Sequence, residues 1–231
     1  MRLIGLLSAT MLAVPNAAPA QVAVVDEGSF TITRGGTRVG QETFTIRRTA
    51  ASGGEVYVAN ATVDYDARRI SPALRADGAF APLAYQLEVR AGDEVQERLR
   101  GRVGRGRFIA EVNTPKGQSV KEYIVSNDAL VLDDDVFHQY YFLAQRARTL
   151  GPSGGSAPVV VPRSNTQVVM RVRSAGEERL TVGRATLNAR QLVLTEPGGA
   201  TRRIWVDEQG RVLKVSLDGR GVVATRDGPP R

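Results

Sequence analysis

Residues 28–48, GSFTITRGGTRVGQETFTIRR, decide how this chain folds. Phe30 and Ile32 alternate with threonines, Phe44 and Ile46 do the same, and Gly35-Gly36 separates the two runs. A period of two puts alternate side chains on opposite faces of a strand, and paired glycines supply the positive φ of a tight turn. The stretch reads as a β-hairpin. Working outward, the alternation recurs in EVYVANATVDY (55–65), with Val56, Val58 and Val63 as the apolar set, and in LAYQLEVRA (83–91), with Leu83, Tyr85, Leu87 and Val89.

Three more strand segments follow between residues 93 and 125, and six more after residue 156, separated by turns such as Gly104-Arg105-Gly106, Pro115-Lys116-Gly117 and Pro197-Gly198-Gly199. Short strands at this even spacing mean antiparallel sheet. GPSGGSAP (151–158) reads as an exposed, flexible connection, but it joins two stretches of the same strand type and so marks no domain boundary. Flat sheets of ten or more strands are disfavoured. The expected fold is therefore mainly β: residues 21–231 form a single domain, one curled antiparallel sheet between half-barrel and barrel, with one short helix on its concave side.

That helix is expected in VLDDDVFHQYYFLAQRA (131–147), spanning 135–147. Val136, Tyr140, Leu143 and Ala147 fall on one face, with Phe137, Tyr141 and Ala144 beside it, while His138, Gln139, Gln145 and Arg146 fall on the polar side. Asp133, Asp134 and Asp135 then sit at the N-terminus, where a carboxylate caps free N–H groups and favours the positive dipole end. Three adjacent carboxylates diverge and lack the spacing of a calcium loop, so no metal site is assigned. His138 lies four residues after Asp134, yet no nucleophile motif accompanies it, and no catalytic residue or enzymatic activity is assigned. GRVGRG (101–106) has the wrong glycine order for a phosphate loop and reads as a strand turn.

Residues 1–20, MRLIGLLSATMLAVPNAAPA, combine one arginine, an apolar run of about a dozen residues and a small-residue end, the layout of a secretory signal cut after Ala20. That run is shorter than the roughly 20 residues a bilayer crossing needs, so no membrane span is expected. The protein is expected to be periplasmic or secreted. It has no cysteine, which excludes disulfides, lipidated cysteine and thiolate metal sites. The formal charge is +7, and loss of Arg2 with the leader takes it to +6. Nearly all the bases are arginines, scattered along strands without stacking aromatics, and export argues against nucleic acid as the partner. An anionic envelope surface is the better match.

The hairpin FTITRGGTRVGQETFTI, the acidic turn leading into LDDDVFHQYYFLAQRA, and the closing RRIWVDEQGRVLKVSLDGRGVVATR together resemble the bacterial exported family named domain of unknown function 3108. The resemblance implies a curled antiparallel sheet with a packed helix, distantly similar to periplasmic lipoprotein carriers, and it brings no established enzymatic activity to these residues; no cofactor is expected. The expected role is an exported, non-enzymatic envelope protein that holds a lipid, acyl chain or other apolar ligand. Phe137, Tyr140 and Tyr141 line its hollow, and Trp205, on the opposite strand face from Ile204 and Val206, either flanks the pocket or seals a barrel end. The alternative is a structural or interaction module of the envelope with a fully packed core.

Overall fold

A computed structural model describes residues 22–51, 53–151 and 153–231. The leader and its cut site lie outside the described residues. The strands are β1 (Val22–Arg34), β2 (Thr37–Ala51), β3 (Gly54–Tyr65), β4 (Arg68–Asp77), β5 (Pro82–Ala91), β6 (Glu94–Gly104), β7 (Arg107–Thr114), β8 (Gly117–Ile124) and β9 (Leu130–Val131). The helix α1 (Tyr140–Ala147) follows, then β10 (Gly155–Val161), β11 (Thr166–Val182), β12 (Ala185–Thr195), β13 (Thr201–Val206), β14 (Val212–Leu217) and β15 (Val222–Arg226).

All fifteen strands form one sheet, in the order β8-β7-β6-β5-β4-β3-β2-β1-β15-β14-β13-β12-β11-β10-β9. Sequence neighbours pair antiparallel on both sides of a central β1–β15 pair, which sets Phe30 opposite Arg226, and only the two-residue β9–β10 pairing is parallel. The sheet curls without closing. Its edges are tied by side chains instead of a backbone ladder: Lys121 Nζ and Tyr123 Oη donate to the Pro162 carbonyl at 3.3 and 3.4 Å, and Gln167 Nε2 to the Ile124 carbonyl at 2.6 Å. The turns alternate between two ends. Turns 35–36, 66–67, 92–93 and 115–116 mark an upper end, and turns 78–81, 105–106 and 207–211 a lower one.

The hairpin alternation holds: Phe30, Ile32, Phe44 and Ile46 point inward, and the Phe30 and Phe44 rings stack 5.2 Å apart. In β3 the inward set is Tyr57, Ala59 and Val63, so Val56 and Val58 lie on the outer face and only Val63 of the expected set points in. Valine and tyrosine both suit a strand, and the choice of face falls to the ring that can bury more area. Part of the expected 151–158 connection is strand, because Gly155 to Val161 pair along β11.

The largest departure is the concave filling. Residues 129–147 are buried except for partly exposed Asp134 and Arg146, and only the last eight residues of that stretch are helical. Chain, rather than a longer helix, plugs the barrel. Asp135 has φ +61°, in the left-handed region, and stands outside any right-handed helix, while the Phe137 and His138 N–H groups donate to Glu42. The helix starts at Tyr140, with no side-chain cap on its N-terminus.

Candidate functional site

Three acids expected to cap a helix serve as anchors instead. Asp133 is buried and accepts from Tyr85 Oη at 2.8 Å, Arg163 Nε at 3.3 Å and the Arg163 and Asp134 backbone N–H groups. Asp134 accepts from Arg220 at 3.0 Å and from the Ser164 hydroxyl, and Asp135 pairs with Arg68 at 2.8 Å and Arg220 at 2.7 Å. The acids thus tie the plug to β4, the β10–β11 turn and the β14–β15 turn at the upper end, and through Tyr85 to the middle of the sheet in β5. Burial raises the Asp133 carboxyl above its ordinary range, against the opposing pull of Arg163 and the Tyr85 hydroxyl.

His138 is not a partly exposed helical residue. It is 1 % exposed and lies before the helix, with Nδ1 2.5 Å from Glu42 Oε1, while the Phe137 and His138 backbone N–H groups donate to the same carboxylate at 2.6 and 2.9 Å. Asp134, the acid four residues before it in the sequence, bonds to Arg220 instead. Glu42 went unread in the sequence, yet it carried a signal: it shares strand parity with Phe44 and Ile46, an acid among inward-facing positions. Asp26 shows the same pattern with Phe30 and Ile32, and pairs with buried Arg226 at 2.8 Å.

The four residues expected to line a pocket do not meet. Phe137, Tyr140 and Tyr141 are at most 6 % exposed and are enclosed in the core. Tyr140 Oη accepts from Arg202 at 2.8 Å, and Tyr141 lies edge-on to Phe142 and Phe80. Trp205 is on the other face of the sheet, in a separate cluster with Val182, Ala189 and Leu213, under the Lys214 ammonium at 4.6 Å and bonded to Glu178. Its strand parity follows the sequence reading, with Ile204 and Val206 inside and Trp205 out.

The concave space that the plug leaves is at the lower end. A cleft of about 490 Å³ opens there between the end of α1, the 78–81 turn and the inner faces of β10 and β11. Leu130, Leu143, Ala147, Ala157 and Val172 form its apolar wall, and Phe80 stands at its side. The Arg146–Asp128 pair, 3.4 Å apart, marks its polar rim. Phe80 holds a positive φ of +62°, an unfavourable setting for a bulky residue, and its ring is kept there by Tyr57 at 4.7 Å and Tyr141 at 6.3 Å. Tyr141 thus reaches the cleft only from behind Phe80.

No family model and no curated protein matches the chain, so the likeness to family 3108 stays a resemblance. Among solved structures, a β-barrel-like protein of domain of unknown function 1849 from Brucella abortus is similar over 89% of this chain and 96% of that one, with a TM-score of 0.59 at 10% identity. A protein of the domain of unknown function 1089 family from Pseudomonas aeruginosa is similar over 93% and 97%, with a TM-score of 0.42 at 14% identity. The first likeness shows a shared β-barrel-like fold. No helix among the described residues is long and apolar enough to cross a membrane.

Proposed function

We propose that this is an exported, non-enzymatic envelope protein that takes the apolar part of a small ligand into the lower cleft. One observation carries the reading: the cleft has the volume of a small-molecule site, within the usual range of about 300–1,000 Å³, and is mostly apolar with a few polar groups at its rim. The plug occupies the deep hollow, so the ligand inserts from the end and does not lie along the barrel. Export rests on the leader-like residues 1–20, and N-terminal sequencing of the protein recovered outside the cytoplasm should begin at Gln21.

Titration with a fluorescent fatty acid, displaced by unlabelled dodecanoic acid, tests the reading. The wild type should bind saturably. Ala157→Trp, which fills the cleft from its wall, should weaken binding at least about tenfold, the effect of losing roughly 1.4 kcal/mol. Trp205→Phe, on the far side of the sheet, should leave binding unchanged. Equal binding by Ala157→Trp with an unaltered urea midpoint would overturn the assignment. The enclosure of Phe137, Tyr140 and Tyr141 favours the packed interaction module as the second reading, and absence of saturable binding by the wild type would select it.

A further inference from the structure

The arginines that look scattered along the sequence are aligned by strand register. Outer-face partners run across seven strands as Val24, Arg47, Val58, Arg75, Ala84, Arg102 and Ile109, where the step from Val24 to Arg47 joins β1 to β2 and each later step joins the next strand. Aliphatic residues and arginines alternate along this row. The three arginines are exposed and form no ion pair among the described residues, and successive ones stand two strands apart, about 9.5 Å at the usual strand spacing. Val24 is 52% exposed and Ile109 43%.

The row lies near the lower end, where the cleft opens, and exposed Arg105 sits in the β6–β7 turn at the same end. Acids gather at one extremity. Glu122 continues the row beyond Ile109 and pairs with Arg107, and Glu111 faces Arg100 in the row above.

We infer that this lower belt docks the protein on an anionic lipid surface, with Arg47, Arg75 and Arg102 at headgroup level and Val24, Val58 and Ile109 against the interface between them. The physical argument is complementarity of two kinds in one row. Arginine lays an apolar stem along aliphatic neighbours while its guanidinium reaches phosphate, and the aliphatic residues gain contact with the glycerol and upper acyl region. An acidic protein would satisfy the charges but would leave exposed aliphatics between guanidiniums without use. Docked on this end, the barrel presents its cleft to the bilayer. The inference stands whether or not the cleft holds a ligand, because none of the row's residues forms the cleft wall.

Co-sedimentation of the purified protein with vesicles of mixed phosphatidylglycerol and phosphatidylcholine, and of phosphatidylcholine alone, tests it. The wild type should bind the anionic vesicles, lose binding steeply with added salt, and ignore the neutral ones. Each arginine near an anionic surface contributes about fivefold, so Arg47→Gln/Arg75→Gln/Arg102→Gln should bind roughly 100-fold more weakly. Arg34→Gln/Arg38→Gln/Arg171→Gln, which removes the same charge from exposed positions elsewhere, should change binding by less than about threefold. Val24→Ser/Ile109→Ser should also weaken binding.

Equal loss in the two arginine variants would reduce the effect to net charge and overturn the belt. Unchanged binding by the serine variant, or no binding of the wild type to anionic vesicles at low salt, would do the same. Retention on immobilised polyglutamate with vesicles ignored would assign the row to an acidic protein and equally refute it. All the altered residues are surface-exposed, and an unchanged urea midpoint in each variant confirms that folding is not what is measured.

Discussion

Replacing Glu42 with leucine should loosen the plug more than any other single change in the hollow. The Glu42 side chain is fully buried on β2 and serves three donors: the Phe137 N–H, the His138 N–H and His138 Nδ1. The two backbone donors lie ahead of the helix in a turn, so no helical carbonyl stands ready to replace the carboxylate. A buried donor left without its acceptor costs about 1–3 kcal/mol, partly offset by the apolar area leucine adds. With three donors losing their acceptor, the net expectation for Glu42→Leu is a loss of roughly 4 kcal/mol. Glu42→Gln keeps the shape and one acceptor oxygen but turns an amide donor toward a donor, and should lose roughly 2 kcal/mol. Equilibrium urea unfolding reads both, and with a slope of about 2–3 kcal/mol/M the leucine variant's midpoint should fall by 1–2 M. His138→Ala combined with Glu42→Leu should destabilise by clearly less than the sum of the two singles, since they share one contact. A leucine variant within about 1 kcal/mol of wild type, or strict additivity in the pair, would refute the claim that this carboxylate holds the plug.

Two carboxyls should leave opposite marks on stability against pH. Asp133 is raised by burial, so between the ordinary carboxylate value and its higher folded value the native state keeps a proton that the unfolded chain has released, and stability falls as pH rises through that window. Asp133→Asn should flatten the decline in unfolding free energy measured from about pH 4 upward. Partial desolvation acts to raise the Asp227 carboxyl, but the Ser29 and Thr31 hydroxyls and the Gln41 amide outweigh that and hold it low. Its contribution is present above the ordinary carboxylate value and lost as pH falls through its lowered one, so Asp227→Asn should remove part of the acid-side loss in the same titration. Gly101→Ala would set a methyl group 2.3 Å from the Phe108 ring, and thermal unfolding should show a loss of about 1–3 kcal/mol from overpacking.

Strand parity made the sheet legible. Phe30, Ile32, Phe44, Ile46, Ile204 and Val206 all point inward as the alternation required, because a one-residue slip would turn a whole apolar face to water. In β3 the alternation was plain, but both parities carried residues able to face inward, and only packing selected Tyr57 over Val56 and Val58. Residues 131–147 misled for a different reason. Apolar spacing there fits a helix from 135, but spacing carries no information on whether the first turn's N–H groups find a partner elsewhere. Glu42, 96 positions from His138, supplies that partner, so the chain can stay irregular and still be buried. The aromatic residues expected to line a hollow beside a helix are enclosed in the core, because extended chain occupies that hollow.

The plug also resolves how an open sheet of this width avoids exposed edges. In chain order it begins at β9, the edge strand that follows the other edge strand, β8, and it crosses the hollow between β9 and β10. Its acidic anchors bind Arg68 and Tyr85 on one wing of the sheet, and Arg163 and Arg220 on the other. Neither wing alone can satisfy those carboxylates, and buried carboxylates without partners are strongly unfavourable. The plug can therefore settle only as the wings curl toward each other, and the curl persists only while the plug fills the space between them. Closure needs no backbone ladder across the seam because the acidic run performs that joining through side chains. The same placement leaves the lower end, where the plug carries no carboxylate anchors, as the part of the barrel free to stay open.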